Sequence, residues 1–157
     1  MTPAEIAKAA REKAKDWIRI QFPDLTIKEK SENCADIIAT SLNGEEYYFE
    51  VKGTTKDSNN FGAATLTECS CAVNSDHYYF LLVNITQIDP NAAVKKKTLD
   101  EMFPYMSVPP FKINFNIREC KRKSGKVKVD GTAVVDKELI LELEKFYNEC
   151  IKHPKGY

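Results

Sequence analysis

The spacing of apolar residues predicts an α-helix at the start of the chain. Thr2-Pro3-Ala4-Glu5 has the form of a capping box, in which the threonine and the glutamate satisfy free backbone amides. Apolar side chains then recur at helical spacing until Phe22-Pro23, because proline removes the continuing hydrogen bond. The stripe that this helix would bury consists of Ile6, Ala10, Ala14, Trp17, Ile18 and Gln21.

Two segments with strand character follow, at residues 34–40 and 47–54. An Asn-Gly dipeptide lies between them and suits the positive φ angles of a hairpin turn, so the two strands are expected to pair. Side chains alternate between the two faces of a strand, so Glu50 and Lys52 project together from the second one. Pairing would bring Asp36 of the first strand across from Glu50.

The rest of the chain predicts further alternation of helices and strands. The unbroken apolar run from Tyr78 to Ile85 is typical of a central strand that is buried on both faces. The other predicted elements are a polar loop over 54–62, a helix from Leu66 to about Asn74, a short helix over 98–103, a rigid connection from Pro104 to Pro110, a strand over 111–118 and an amphipathic helix over 136–152. We therefore expect an α/β fold, with a central mixed β-sheet flanked by helices.

Composition adds limits to this picture. The chain has 157 residues, 43% of them hydrophobic and 29% charged, which is typical of a single domain spanning residues 1–157. No apolar run is long enough to span a membrane, and the first residues form a helix cap and not a signal peptide, so a cytoplasmic protein is expected. Five cysteines, without a Cys-x-x-Cys pair, predict reduced thiols.

Asp36, Glu50 and Lys52 together form a chemical set suited to phosphodiester hydrolysis. Mg²⁺ is usually held by one or two carboxylates together with substrate phosphate oxygens, and the two acids can supply such ligands. The lysine could position and help deprotonate the attacking water, or offset negative charge in the transition state, and the sequence leaves both roles open. The ordinary alternative is a cross-strand ion pair on a solvated face.

The same residues carry a resemblance to a known family. Asp36, followed after thirteen residues by Glu50-Val51-Lys52, resembles the PD-(D/E)XK nuclease superfamily, which has the restriction-endonuclease-like fold. Over roughly residues 5–86, the chain is similar to the nuclease-like domain at the C-terminus of NO VEIN-type proteins and in several bacterial defence proteins. The motifs are Ala35-Asp36-Ile37-Ile38, Phe49-Glu50-Val51-Lys52-Gly53-Thr54, Leu66-Thr67-Glu68 and Tyr78-Tyr79-Phe80-Leu81-Leu82-Val83. Alanine replaces the proline of the superfamily name at position 35.

The resemblance implies a particular set of site residues. Mg²⁺ or Mn²⁺ would be bound by Asp36, Glu50 and the backbone carbonyl of Val51, with Lys52 catalytic. Nucleases of this type often carry a further acid on the first helix, and Glu12 is the candidate here. Its position nearly opposite the apolar stripe makes a solvated glutamate an equal alternative.

Two further features bear on how substrate would be bound. Glu68 would either favour its helix N-terminus electrostatically or face the active site. Six basic residues occur among the eleven from 118 to 128, which usually indicates a solvated turn but in a nuclease would supply phosphate contacts. The formal net charge of zero limits such binding without a specific site. The candidate nucleic-acid contacts are Lys56, Lys112, Arg118, Lys121, Arg122 and Lys123.

The sequence thus favours a metal-dependent endonuclease that hydrolyses DNA phosphodiester bonds. The resemblance suggests a setting in restriction or another defence system. A homodimer would be the simplest way to cut both strands. The alternatives are a non-catalytic nuclease-fold module, which binds nucleic acid or a partner protein, and an RNA-cleaving enzyme on the same fold.

Overall fold

A computed structural model describes residues 1–29, 34–57, 63–106, 112–115, 125–128 and 136–152. The chain divides into two compact units, Met1–Asn59 with Ser75–Leu99 and Asn60–Asn74 with Asp100–Tyr157. The single-domain expectation stays a prediction. The elements are α1 (Pro3–Gln21), β1 (Thr26–Ile27), β2 (Ile37–Thr40), β3 (Glu46–Thr54), β4 (Ala63–Thr65), α2 (Leu66–Val73), β5 (Tyr78–Asn84), α3 (Pro90–Ala93), β6 (Val94–Lys97), α4 (Leu99–Met106), β7 (Lys112–Phe115), β8 (Gly125–Lys128) and α5 (Lys137–Lys152).

The first unit is built on a five-stranded mixed sheet with the strand order β1-β2-β3-β5-β6. Strands β3 and β5 are parallel, and the other neighbouring pairs are antiparallel. A parallel pair needs a crossover connection, and here the intervening chain contains α2, as expected. The predicted α/β class with a central mixed sheet is therefore confirmed.

Helix α1 covers one face of this sheet. Its capping box is formed as predicted: the Glu5 amide donates to Thr2 Oγ1 (3.1 Å), and the Thr2 amide donates to Glu5 Oε2 (3.2 Å). Glu5 is thus a capping residue. The apolar stripe packs against sheet side chains in one core cluster, whose fully buried members include Ala10, Ala14, Ile18, Phe49, Leu81 and Val83.

The β2–β3 hairpin is confirmed, with a longer turn than a two-residue type. The ladder runs from Ile37 opposite Phe49 to Thr40 opposite Glu46, which leaves residues 41–45 in the connection. Gly44 has φ +86°, a left-handed conformation that glycine adopts without steric cost. The Ser41 side chain accepts a hydrogen bond from the Glu45 amide (3.0 Å) and so closes the loop.

Gly53 marks a close approach between β3 and α1, and it predicts a large effect on stability. A Cβ atom there would lie 2.9 Å from Ala10 Cβ and 3.1 Å from Ile6 Cγ2. We expect Gly53→Ala to lower the free energy of unfolding by about 1–3 kcal/mol, because helix and strand must move apart. Thermal denaturation followed by circular dichroism measures the effect. Adding Ala10→Gly should recover part of the loss, and an unchanged midpoint in Gly53→Ala alone would contradict this packing.

The described residues of the second unit form a three-stranded sheet, helices α2 and α5, and all of α4 except its first residue. Strand β7 pairs with β4 in parallel and with β8 in antiparallel orientation, so the predicted C-terminal hairpin is present. Helices α2 and α5 are joined by a hydrogen bond from Ser70 Oγ to Glu144 Oε2 (2.6 Å). The start of α5 is capped by Asp136, whose Oδ1 accepts from the Leu139 amide (3.0 Å).

Several predicted details were wrong. The predicted rigid connection from Pro104 to Pro110 starts too early, since helix α4 continues through Pro104 to Met106. Proline removes one backbone hydrogen-bond donor, and two further residues still keep the helical conformation. Cys34 and Cys71 each take part in a disulfide bond, so the expectation of reduced thiols is wrong for these two residues, whereas Cys69 is buried and forms no disulfide. Disulfide formation requires Cα atoms within about 7 Å, a tertiary property that cysteine spacing does not reveal.

In the described ranges, no helix is long and apolar enough to cross a membrane.

Candidate functional site

The alternation of side chains along β3 separates the core from the candidate chemistry. Phe49 belongs to the cluster packed on α1, and Gly53 approaches α1 directly. Glu50 and Lys52 therefore project from the opposite face of the sheet. We name this opposite face, defined by Glu50 and Lys52, the site face.

Asp36 lies immediately before β2, at the point where the β2–β3 ladder ends. The last pair is Ile37 with Phe49, so continuing the register by one residue puts Asp36 opposite Glu50, as predicted. A hydrogen bond fixes this position, because the Val51 amide donates to Asp36 Oδ2 (2.9 Å). The Asp36 side chain thus accepts the hydrogen bond that a main-chain carbonyl would accept if the β2–β3 ladder continued by another step.

Lys52 and Glu50 form an ion pair of limited exposure. Lys52 Nζ lies 3.6 Å from Glu50 Oε1, and the side chains are 20% and 9% exposed. A carboxylate this deeply buried is costly unless a cation or hydrogen bonds compensate it. This burial distinguishes the pair from the solvated cross-strand ion pair that was the ordinary alternative.

The backbone groups of Val51 have a defined direction in the sheet. The N–H and C=O groups of one strand residue point toward the same neighbouring strand, and the Val51 amide points toward Asp36. The Val51 carbonyl is therefore directed to the side where the β2 ladder has ended. Asp36, Glu50 and this carbonyl are all hard oxygen donors of the type that Mg²⁺ prefers.

The donor set is small. Within the part of the chain that the structure describes, no group of three or more His, Cys, Asp and Glu side chains is arranged to hold a metal ion. Zinc sites normally take three or four such side chains. Mg²⁺ needs only one or two carboxylates and keeps several waters, so Asp36 and Glu50 fit it.

Glu12 is not brought to this group. Its side chain is 66% exposed and pairs with Lys15 on the surface of α1 (3.5 Å). Helix α1 packs against the sheet face that carries Phe49, whereas Glu50 and Lys52 lie on the other face. The geometry supports the alternative of a solvated glutamate, and the catalytic role of Glu12 stays a prediction without structural support.

The predicted nucleic-acid contacts are described only in part. Lys56 is exposed just after β3, where its amide donates to Thr54 Oγ1 (3.1 Å). Lys112 begins β7 in the second unit. Glu68 is buried in the first turn of α2, and its two proposed roles stay open. The remaining candidates lie outside the described residues, namely Arg118, Lys121, Arg122 and Lys123.

Sequence reasoning missed strand β6 and the lysines that it carries. The register pairs Lys97 with Phe80 and Lys95 with Leu82, which places both lysines on the site face. Lys95 Nζ contacts Asp57 Oδ1 (2.9 Å), and this hydrogen bond lowers the pKa of the Asp57 carboxyl. The run consists of Val94 followed by three lysines, so no alternation of apolar and polar residues marked it as a strand.

The fold and site together define an α/β domain that carries two acids and a lysine at the end of a hairpin. Residues 5–95 match the family model described as Protein NO VEIN, C-terminal. The match covers more than half of the chain, so the chain belongs to this family and the stated similarity is confirmed. No curated protein and no solved structure matches the chain.

Proposed function

We propose that this protein is a metal-dependent endonuclease that hydrolyses DNA phosphodiester bonds through Asp36, Glu50 and Lys52. The observation that carries the proposal is the register of the hairpin, which puts Asp36 opposite Glu50, with Lys52 Nζ 3.6 Å from Glu50 Oε1. An acid pair and a cation at one end of a sheet match the pattern of the PD-(D/E)XK nucleases. Membership of that wider superfamily is part of the proposal.

Asp36, Glu50 and the Val51 carbonyl would hold Mg²⁺ or Mn²⁺. The ion would polarise the phosphoryl group and lower the pKa of a bound water. The hydrogen bond from the Val51 amide holds the Asp36 carboxylate in one orientation before any ion binds. Such preorganisation reduces the cost of assembling the site.

Lys52 would act on the reacting phosphate itself. Its ammonium group can orient the attacking water, or donate to the phosphoryl oxygen on which negative charge accumulates. The Lys52 side chain is only 20% exposed, and this strengthens either effect, because water screens electrostatic interactions less where it is partly excluded. In the absence of substrate, the ion pair with Glu50 keeps the lysine on the site face.

The second candidate is a non-catalytic module of the same fold that binds nucleic acid or a partner protein. The observation in its favour is the lack of a third acidic, histidine or cysteine ligand beside the pair in the described residues. A degenerate member of the family would retain the hairpin and lose the chemistry. Divalent-metal dependence distinguishes the two functions.

Substrate class is tested by offering the purified chain supercoiled plasmid, linear duplex, single-stranded DNA and RNA of matched sequence with Mg²⁺ or Mn²⁺. We expect cleavage of DNA, and faster cleavage of RNA would instead favour the RNA-cleaving alternative. A homodimer would convert plasmid directly to the linear form, whereas a monomer would first accumulate nicked circles, since one site cuts one strand. Binding without cleavage of any substrate would favour the module.

A further inference from the structure

Strand β6 places two lysines in line with the candidate catalytic residues. Because paired residues of neighbouring strands share a face, the register forms two rows across the sheet. One row runs from Glu50 through Phe80 to Lys97. The other runs from Lys52 through Leu82 to Lys95.

The spacing of these rows suits a polynucleotide. Strands lie about 4.8 Å apart, so the backbone of β6 is about 10 Å from that of β3. Consecutive phosphates of one DNA strand advance about 3.4 Å along the helix axis but lie about 7 Å apart in space, because the strand also winds around that axis, so about 10 Å corresponds to one or two nucleotides. A substrate whose scissile phosphate lies at Lys52 would bring another phosphate to β6.

We infer that Lys95 and Lys97 form a second phosphate-binding site, which holds the DNA backbone one or two nucleotides from the scissile bond. This inference rests on the proposed function. It assigns to β6 a role in positioning substrate, since phosphate contacts fix the register of a protein on DNA without reading sequence.

The environment of Lys95 is suited to an anion. Its side chain is 40% exposed and borders a shallow depression that is also lined by Thr54, Lys56 and Asn84. Asp57, which is 81% exposed, is one anionic partner of Lys95. A phosphate would displace this carboxylate, and the Asp57 side chain can turn into solvent when it does so.

Lys96 provides an internal control. Lysines on an edge strand also serve to block unwanted strand pairing, and that role would make the three lysines of β6 equivalent. Lys96 points to the α1 face, where its Nζ lies 5.0 Å from the Tyr79 ring centroid and 5.6 Å from that of Phe22. Of the three lysines of β6, only Lys95 and Lys97 should therefore affect DNA binding.

The test is the salt dependence of binding to a fluorescent 20-base-pair duplex, measured by anisotropy in EDTA so that the DNA stays intact. We expect Lys95→Gln and Lys97→Gln each to reduce the slope of log K against log salt concentration by about 0.9, and Lys96→Gln to leave it unchanged. Asp57→Asn should strengthen binding about two- to fivefold by removing a carboxylate that competes with phosphate for Lys95. Unchanged thermal midpoints would show that the substitutions leave the fold intact.

Equal slopes for all three lysine variants would overturn the inference. If the wild type nevertheless cleaves DNA with Mg²⁺, the proposed function survives and only the second phosphate site is lost. If the wild type neither binds nor cleaves DNA, the inference fails together with the proposed function. Reduced slopes without cleavage by the wild type would retain the phosphate site and reject the enzyme.

Discussion

Lys52→Met is expected to reduce the rate of DNA cleavage by about 10²–10⁴-fold, the range observed for loss of one catalytic proton donor or charge-stabilising group. Methionine keeps the length of the side chain but removes its charge. The reduction should appear in the single-turnover rate at saturating protein, because the lysine acts on the transition state and not mainly on substrate affinity.

This substitution also leaves Glu50 without its cation, so an effect on folding has to be separated from one on chemistry. The Glu50 side chain is only 9% exposed, and removing one partner of a buried ion pair is destabilising. Lys52→Arg retains the positive charge, so we expect its thermal midpoint to lie closer to that of the wild type. Its cleavage should still be slow, since the planar guanidinium differs in shape from an ammonium. Lys96→Met, on the opposite face, is the matched control and should cleave normally. Wild-type cleavage by a folded Lys52→Met protein would remove the lysine from the mechanism.

Two substitutions of Asp36 should separate its structural role from its role as a ligand. Both Asp36→Ala and Asp36→Asn are expected to abolish detectable Mg²⁺-dependent cleavage, because each removes one of the two carboxylates that the proposed site takes from the described residues. Stability should differ between them. Asparagine can still accept the hydrogen bond from the Val51 amide, whereas alanine leaves this amide without its acceptor, at a cost of about 1 kcal/mol.

Chemical denaturation and cleavage assays on the same protein preparations measure the two effects. A wild-type rate in Asp36→Asn would rule out the carboxylate as a metal ligand. Equal stability of the two variants would show that the Val51 hydrogen bond contributes little to folding. High Mg²⁺ or Mn²⁺ concentration is expected to restore some activity to Asp36→Asn and none to Lys52→Met, since only the first variant is impaired in metal binding.

The sequence predicted correctly those elements whose pattern of apolar residues directly reflects which of their own side chains are buried. The capping box and apolar stripe defined α1, and the unbroken apolar run defined β5, because a strand buried on both faces has no polar positions. The juxtaposition of Asp36 and Glu50 followed from the hairpin, since an antiparallel pair joined by a short loop has few possible registers.

What the sequence missed depends on neighbours that are distant along the chain. Strand β6 lies at the sheet edge and consists of Val94 and three lysines, so neither its composition nor its length indicates a strand. Whether Glu12 lies near the candidate site depends on which face of the sheet α1 covers. The helical pattern specifies only which side of α1 is buried, so it could not decide this. The disulfide bonds of Cys34 and Cys71 likewise depend on tertiary proximity.

The most direct test of the Asp36–Glu50–Lys52 site is the rate at which the purified chain converts supercoiled plasmid to nicked or linear DNA as Mg²⁺ is titrated. A protein carrying both Asp36→Asn and Lys52→Met, purified in parallel, controls for contaminating nucleases. We predict cleavage that rises with Mg²⁺, stops in EDTA and is absent from the double variant. Cleavage of equal rate by both proteins, or no cleavage by the wild type at any concentration of Mg²⁺ or Mn²⁺, would contradict the assignment of this site as a nuclease centre.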